Sequence, residues 1–311
     1  MKRIVAIGHT FDLEIERRLV EGTGCELIDG RMPYDPAAIE GILLGTAAKV
    51  DAGLISAMPR LRGIMRYGIG FDNVDVRAAR QAGVTVGIVR DYCVEEVAEH
   101  ALTSALALLR ALTHWDSNVR SGQWRAGPRP RHRRISNLTF GVMGYGLIGR
   151  AIARKASGLF GAVIIHDPWL KTVDGSVDGY GVENTLETFL GRVDAVSLHL
   201  PLSTDTRHLF DAATLALMKP DAVLVNASRG GLIDEAALVA ALDAGAIGGA
   251  ALDTFETEPL PAGHPFMDQE RVILSPHVAW LSEEAEIALR SSATLDLLKI
   301  LDGDAPSCPV S

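Results

Sequence analysis

The sequence predicts an α/β protein made of two doubly wound parallel-sheet domains. Three observations carry that expectation. Short β-branched runs alternate with amphipathic helical stretches from the first residue onward, the rhythm of a parallel sheet covered by helices on both faces. The rhythm is interrupted once, by a long apolar-faced stretch and an arginine-rich segment, and then resumes. In the second series three glycines, Gly144, Gly146 and Gly149, separate a strand-like run from a helix-like one.

In the first series RIVAIG reads as a strand and FDLEIERRLVEG as an amphipathic helix. CELID follows as a strand, DPAAIEGI as a short helix and ILLGT as a strand. DAGLISAM is helical, LRGIMRY extended, NVDVRAARQAG helical and VTVGIV extended, which brings the first series to its end near Arg90. The interruption begins with VEEVAEHALTSALALLRALTHWDSNVR. Val94, Val97, Ala98, Ala101, Leu102, Ala105, Leu108, Leu109 and Leu112 recur at helical spacing, and Leu106 with Ala107 widens the stripe. The spacing predicts one long helix, buried on more than one side, that joins two domains or lies in a subunit interface. Residues 122–134 then carry Arg125, Arg129, Arg131, Arg133 and Arg134 among prolines. No aromatic ladder accompanies them, so they read as a solvated loop and not as a nucleic-acid patch.

The second series starts at Leu138. LTFGVMG is extended, LIGRAIARKASGL helical, AVIIHD extended, NTLETFLGR helical and AVSLHL extended. AATLALM, AVLVNAS, EAALVAALDAG, GGAALD and VILSPH continue the alternation, and a last helix from Ser282 to Leu301 stops at Gly303.

Composition narrows the function classes. Apolar residues make up 48% of the 311, enough for a sizeable core, and the formal charge of −9 argues against broad binding to nucleic acid or an anionic membrane. The start, MKRIVAIG, is too soon interrupted by His9, Asp12 and Glu14 to be a signal peptide, and no apolar run has the length of a membrane span. Cys25, Cys93 and Cys308 are odd in number and scattered, which suggests a reducing compartment and no zinc site. The expectation is a cytoplasmic protein without a metal.

The glycine triad has the spacing G-x-G-x-x-G of a dinucleotide cradle, a pattern that means little without its context. The context is present. A strand precedes the glycines, a helix follows, and the next strand ends in Asp167, 18 positions past Gly149. Gly144 would allow the tight turn, Gly146 close approach to a pyrophosphate, and Gly149 close helix–strand packing. The helix N-terminus supplies N–H groups and partial positive charge for phosphates. Asp167 would accept from ribose hydroxyls. It is followed by Pro168, Trp169 and Leu170 and not by arginine, so NAD is favoured over NADP. Three later strand ends bear candidate chemistry: Arg229 in VNASRGGLID, Asp253, Glu256 and Glu258 in ALDTFETEP, and His277 in SPHVAW. Ligands bind at the carboxyl ends of strands in such sheets.

Over nearly its full length the chain resembles the D-isomer-specific 2-hydroxyacid dehydrogenases, through RYGIGFDNVD, GVMGYGLIGR, HLPLSTDTRHL, VNASRGGLIDEAAL, ALDTFETEPL and SPHVAWLSEEA. DYCVEEVAEH and HVAWLSEE are most similar to the branch that includes the C-terminal-binding-protein corepressors and their bacterial relatives. The resemblance implies a flavodoxin-like substrate domain, residues 1–93 plus 285–311, and a Rossmann NAD-binding domain, residues 94–284. It implies a homodimer formed through the 94–120 helix region. The catalytic arginine, glutamate and histidine fall on Arg229, Glu258 and His277. Arg229 would hold the substrate carboxylate, His277 would exchange the proton, and Glu258 would fix the imidazole. The nucleotide set implied is Gly144, Gly146, Leu147, Ile148, Gly149, Asp167, Pro201, Thr206, Ala227, Ser228, Arg229, Asp253 and His277, with Asp253 facing the nicotinamide carboxamide. The substrate set is Tyr67, Gly68, Ile69, Gly70, Arg229, His277 and Trp280. The loop glycines would permit close approach of backbone N–H groups to a carboxylate. Trp280 is read either as a wall of the pocket or as interdomain packing. Ile88, Val89 and Arg90 stand where many relatives have Asn-Val-Pro.

The expected activity is therefore an NAD-dependent reduction of a 2-keto acid or the reverse. Two other readings stand beside it. One is a dimeric NAD-binding regulator of the corepressor kind. The other is a phosphoglycerate dehydrogenase, which would need a cationic phosphate site to which Arg66 and Lys49 are possible contributors. A pure binding module has no need of Arg229, Glu258 and His277 together, which favours the enzyme.

Overall fold

The computed structural model describes residues 1–124, 132–170, 172 and 174–310. The arginines at 125, 129 and 131 lie outside them. The chain divides into two compact units, Met1–Cys93 with Leu281–Ser311, and Val94–Trp280.

The first unit contains strands β1 (Lys2–Ile7), β2 (Cys25–Asp29), β3 (Gly41–Leu44), β4 (Gly63–Arg66) and β5 (Thr85–Ile88), all parallel, in the order β2-β1-β3-β4-β5. That is the flavodoxin-like order, with its switch point between β1 and β3. The helices are α1 (Glu14–Val20), α2 (Ala52–Ser56), α3 (Val76–Gln81) and α10 (Glu283–Asp302). Every residue of β3 is buried, as expected of a central parallel strand covered on both faces. Helix α10 seats closely on the sheet because β3 and β4 begin with glycine. A Cβ on Gly63 would lie 2.6 Å from Ile300 Cγ2. Ser282 caps the start of α10 through the Ala285 N–H, and Gly303, with φ of 104°, ends it.

The predicted helix over 35–42 is absent. Asp35 caps a single 3₁₀ turn at Pro36–Ala38, and β3 begins at Gly41. The span is too short for a helix once its apolar end, Gly41–Leu44, is claimed by the sheet.

The second unit opens with α4 (Val94–Leu109) and α5 (Leu112–Arg120). The single long helix expected over 94–120 is broken at Ala111, whose φ is 46°. The apolar stripe serves the core only as far as Leu109. Nothing in α5 is buried, and Leu112, placed in the stripe by its spacing, is 56% exposed. The strands are β6 (Thr139–Met143), β7 (Ala162–His166), β8 (Ser176–Val177), β9 (Tyr180–Val182), β10 (Ala195–Leu198), β11 (Val223–Asn226), β12 (Gly249–Leu252) and β13 (Val272–Leu274). Their order is β13-β12-β11-β10-β6-β7-β9-β8. Pairing is parallel throughout except between β8 and β9. Helices α6 (Leu147–Ser157), α7 (Leu186–Arg192), α8 (Ala212–Leu215) and α9 (Glu235–Asp243) complete the unit. The order reverses between β6 and β10, and their carboxyl ends frame the crevice where ligands bind in open α/β sheets. The β8–β9 hairpin was not predicted. Its strands are very short, but the Asp178-Gly179 pair between them, both with positive φ, is a known hairpin signal.

Candidate active site

At the switch point the three glycines are needed for three different reasons. Gly144 has φ of 93°, and a Cβ there would meet the His199 carbonyl oxygen at 2.6 Å. A Cβ on Gly149 would lie 2.0 Å from the Gly144 oxygen, so α6 can approach β6 only without one. A Cβ on Gly146 would meet nothing within 4 Å. This glycine borders open space, in front of a helix N-terminus that no side chain caps. The first N–H groups of α6, from Leu147 and Ile148 onward, thus face this open space with partial positive charge. These residues fit the pyrophosphate of a dinucleotide. Leu147 is exposed and Ile148 half-buried at its rim.

Asp167 follows β7 directly, beside this loop. Its Oδ2 accepts from the Tyr145 N–H at 2.7 Å and its Oδ1 from the Trp169 N–H at 2.9 Å. Each oxygen keeps a lone pair for a ribose hydroxyl. Tyr145 is held in turn: its hydroxyl donates to Asp178 Oδ2 at 2.9 Å, and the Arg150 guanidinium lies 4.7 Å from its ring centre. Burial, followed by the Asp178 carboxylate, pushes the Tyr145 hydroxyl well up from its ordinary value.

The loop after β10 carries two further predicted residues. Pro201 is exposed. Thr206 is buried, and its Oγ1 donates to the Pro201 carbonyl at 2.7 Å and accepts from the Ser203 N–H at 2.8 Å. Its hydroxyl shapes the loop. At the end of β11, Asn226 binds both sides of the turn through Ala227 and Ser228. Its Nδ2 donates to the Arg229 carbonyl at 2.8 Å, and its Oδ1 accepts from the Ser228 N–H at 3.1 Å. Ser228 Oγ joins this turn to Leu200 O at 2.7 Å. The next residue after Arg229 must be glycine, because a Cβ on Gly230 would sit 1.9 Å from the Phe255 carbonyl carbon.

Arg229, Glu258 and His277 come together on the carboxyl rim of β11, β12 and β13. His277 Nδ1 is 2.7 Å from Glu258 Oε2, and the other carboxylate oxygen, Oε1, accepts from the Phe255 N–H at 3.0 Å. Burial acts to raise the Glu258 carboxyl. The His277 hydrogen bond and charge, the Phe255 N–H and the Arg229 charge together outweigh it and hold the carboxyl below its ordinary value. Glu258 is thus an anion at neutral pH, and Nδ1 of His277 is its proton donor. The arrangement leaves Nε2 as the atom that can exchange a proton.

His277 has φ of 57°, a left-handed backbone uncommon outside glycine. Asp253, almost fully buried, holds it there. The Asp253 carbonyl accepts from the His277 N–H at 2.8 Å. Its Oδ1 accepts from Ser275 Oγ at 2.6 Å and the Val278 N–H at 3.0 Å, and its Oδ2 from the Ala279 N–H at 2.9 Å. His100 of α4 reaches Ser275 Oγ at 3.1 Å. The carboxylate expected to face a nicotinamide carboxamide is first the anchor of the histidine loop, with one acceptor position left on Oδ2. The Trp280 indole N–H donates to the His277 carbonyl at 3.0 Å, so Trp280 also braces this turn.

In the first unit Tyr67–Gly70 follows β4. Two of its four N–H groups already have backbone acceptors, Tyr67 on Leu44 O at 2.9 Å and Gly68 on Arg66 O at 2.9 Å. Among the described residues those of Ile69 and Gly70 have none, so they are the donors the loop can offer. The Tyr67 hydroxyl donates to Glu16 Oε1 at 3.0 Å. Arg66, weighed as a phosphate contact, turns its guanidinium back onto the Tyr67 carbonyl, and Lys49 is exposed.

Asn226, Ser275 and His100 are site-supporting residues that sequence reasoning missed. No spacing marks Ser275 and His100, whose partners lie on other elements, whereas Asn226 bonds the turn two and three residues on, a pattern asparagine favours. No group of three or more metal-ligating side chains is found among the described residues, nor is any helix there long and apolar enough to cross a membrane.

Comparison with known proteins shows the family. The model for the D-isomer specific 2-hydroxyacid dehydrogenase NAD-binding domain matches residues 102–279, more than half of the chain. The (S)-sulfolactate dehydrogenase of Chromohalobacter salexigens is 36% identical over 88% of this chain and 88% of its own length. The glyoxylate reductase of Korarchaeum cryptofilum is 36% identical over 83% of this chain and 78% of its own. Among solved structures, the D-lactate dehydrogenase of Lactobacillus jensenii with NAD+ superposes with a TM-score of 0.80 at 27% identity, covering 99% of both chains.

Proposed function

The chain belongs to the D-isomer-specific 2-hydroxyacid dehydrogenases, and on that premise we propose that Arg229, Glu258 and His277 carry out its reaction on a small 2-keto or 2-hydroxy acid. The enzyme is an NAD-dependent oxidoreductase acting on the CH–OH group. NAD, when bound, supplies or accepts the hydride at the substrate's C2. Gly144, Gly146, Gly149, Leu147 and Ile148 would hold its pyrophosphate, and Asp167 its adenosine ribose. The negative charge of Asp167 disfavours a 2′-phosphate.

The observation that carries the assignment of roles is the 2.7 Å contact between His277 Nδ1 and Glu258 Oε2. A carboxylate on Nδ1 stabilises the imidazolium and leaves the Nε2 proton for the substrate oxygen. In reduction Nε2 donates that proton to the developing alkoxide. In oxidation Nε2 takes it from the hydroxyl. Arg229, a permanent cation, would bind the substrate carboxylate and polarise the keto oxygen. Trp280 would border the substrate side chain while holding the His277 carbonyl. The 94–120 region, with nothing in α5 buried, is the face through which two copies would pair. A cytoplasmic location suits three free cysteines.

The test is NADH oxidation by the purified protein over glyoxylate, pyruvate, hydroxypyruvate, phosphohydroxypyruvate, phenylpyruvate and 4-methylthio-2-oxobutyrate, with His277→Ala beside it. Turnover lost in the variant supports the roles. Equal turnover in both proteins overturns them.

A further inference from the structure

Glu258 stands on the segment after β12, residues 253–264, which has no regular structure between Leu252 and the 3₁₀ turn at Pro265–Asp268. A loop carrying a catalytic carboxylate needs external support to keep it in hydrogen-bonding register. The support comes from the first turn of α9. Glu235 Oε1 accepts from the Glu256 N–H at 2.8 Å, the amide next in the chain to the Phe255 N–H that donates to Glu258. Its other oxygen, Oε2, lies 3.3 Å from His264 Nε2.

The His264 ring is fixed from its far side. The Phe266 N–H donates to His264 Nδ1 at 3.3 Å, capping the 3₁₀ turn. Nδ1 must therefore be the bare nitrogen and Nε2 the protonated one, which directs Nε2–H at Glu235. One carboxylate thus clips the start of the loop by a backbone N–H and its end by an imidazole. The side chain of the same Glu256 has its Oε1 2.6 Å from His208 Nε2, and His208 is itself tied by its N–H to Gly231 O at 2.8 Å. An unbroken series of contacts runs from the 3₁₀ turn through His264, Glu235 and the Glu256 and Phe255 amides to Glu258 and His277.

We propose that Glu235, with His264, is a positioning residue for the reaction: it holds the 255–264 loop so that Glu258 meets His277 Nδ1. This rests on the roles given above to Glu258 and His277. Glu235 touches no reacting atom. Its effect is on how well Glu258 favours the His277 imidazolium, and the charged groups that bear on Glu258 are His277 and Arg229.

The experiment is the pH profile of kcat/KM for 2-keto acid reduction at saturating NADH, using the best acid of the panel. Wild type is compared with Glu235→Ala, Glu235→Gln, Glu258→Gln and the double variant Glu235→Ala/Glu258→Gln. Reduction needs the imidazolium, so activity falls on the alkaline side as His277 loses its proton. In Glu235→Ala that limb moves to lower pH by about half a unit or more, kcat falls on the order of tenfold, and the KM for NADH is unchanged. Glu235→Gln keeps an acceptor for the Glu256 N–H and moves the limb less than Ala does. On the Glu258→Gln background, Glu235→Ala costs little more, because the two act as a unit. An alkaline limb in Glu235→Ala that superimposes on wild type overturns the proposal. A loss fully additive with Glu258→Gln does so as well. Where Glu235→Ala does not fold, an unmoved limb in Glu235→Gln overturns it. A wild-type protein without His277-dependent turnover would defeat instead the roles on which the proposal rests.

Discussion

Replacing Gly146 by alanine separates a nucleotide cradle from a mere turn. In the fold the change is nearly free. The backbone there, φ −77° and ψ −158°, is open to any residue, and an added Cβ meets nothing within 4 Å. Alanine is a poorer N-cap than glycine by about 1 kcal/mol or less, and it gains ~0.4–1 kcal/mol from a less flexible unfolded chain. The two nearly cancel, so Tm should stay within about 2 °C of wild type. For the cofactor the change is not free. The methyl group enters the space in front of the α6 N–H groups, and overpacking costs about 1–3 kcal/mol, which is roughly 5- to 150-fold in Kd. Gly149→Ala provides the contrast. Its Cβ would overlap the Gly144 oxygen at 2.0 Å, so the same kind of penalty falls on folding, with a Tm lower by roughly 5 °C. Thermal melts and NADH fluorescence titrations measure both quantities. A Gly146→Ala protein of normal stability that binds NADH as tightly as wild type would refute the reasoning.

Three further outcomes follow from the same geometry. Glu16 and Arg290 form a fully buried pair in the first unit, with Arg290 Nε and Nη2 on the two Glu16 oxygens at 2.9 and 2.8 Å. Arg290→Leu strands the Glu16 charge and should cost ~3–5 kcal/mol in denaturant unfolding, whereas Glu16→Leu/Arg290→Leu should cost much less. A double variant no better than the single would contradict this. The Glu258 carboxyl is held below its ordinary value of 4.5 in the folded protein, so the stability it adds is fully present above that pH. That stability is lost as pH falls through the lower folded value. Unfolding midpoints from pH 6 downward should therefore decline less steeply in Glu258→Gln than in wild type, and parallel curves would speak against the pairing. Asp167→Ser removes the charge that would face a 2′-phosphate. It should weaken NADH on the order of tenfold and narrow the preference over NADPH, which a comparison of the two KM values checks.

Much of the fold was legible because the two periodicities are clear. Strands such as Gly41–Leu44 and Val223–Asn226 are fully buried runs, and Ser282 and Gly303 mark the ends of α10 as cap residues do. The glycine triad could be read because its three steric demands are local to one turn. The long helix was misjudged for a physical reason. Leu112 continues the helical spacing, but spacing cannot tell where the core beneath a helix ends, and here it ends at Leu109. The hairpin at Ser176–Val182 was passed over because two-residue strands carry no periodicity. The proposed catalytic trio was visible only as three strand ends, with its partnership supplied by resemblance. Its supports Glu235, His264 and Ser275 have partners on other loops, and no one-dimensional pattern encodes such contacts.

In the proposed reaction His277, fixed by Glu258, protonates a 2-keto acid as hydride arrives from NADH to give a 2-hydroxy acid of D configuration. The most direct measurement is chiral chromatography of the product formed from NADH and a prochiral keto acid such as phenylpyruvate or pyruvate, by wild type and by His277→Ala. The account predicts the D enantiomer alone from wild type and a rate lower by about 10²-fold or more in the variant. An L or racemic product, or a His277→Ala enzyme that works at the wild-type rate, would contradict it.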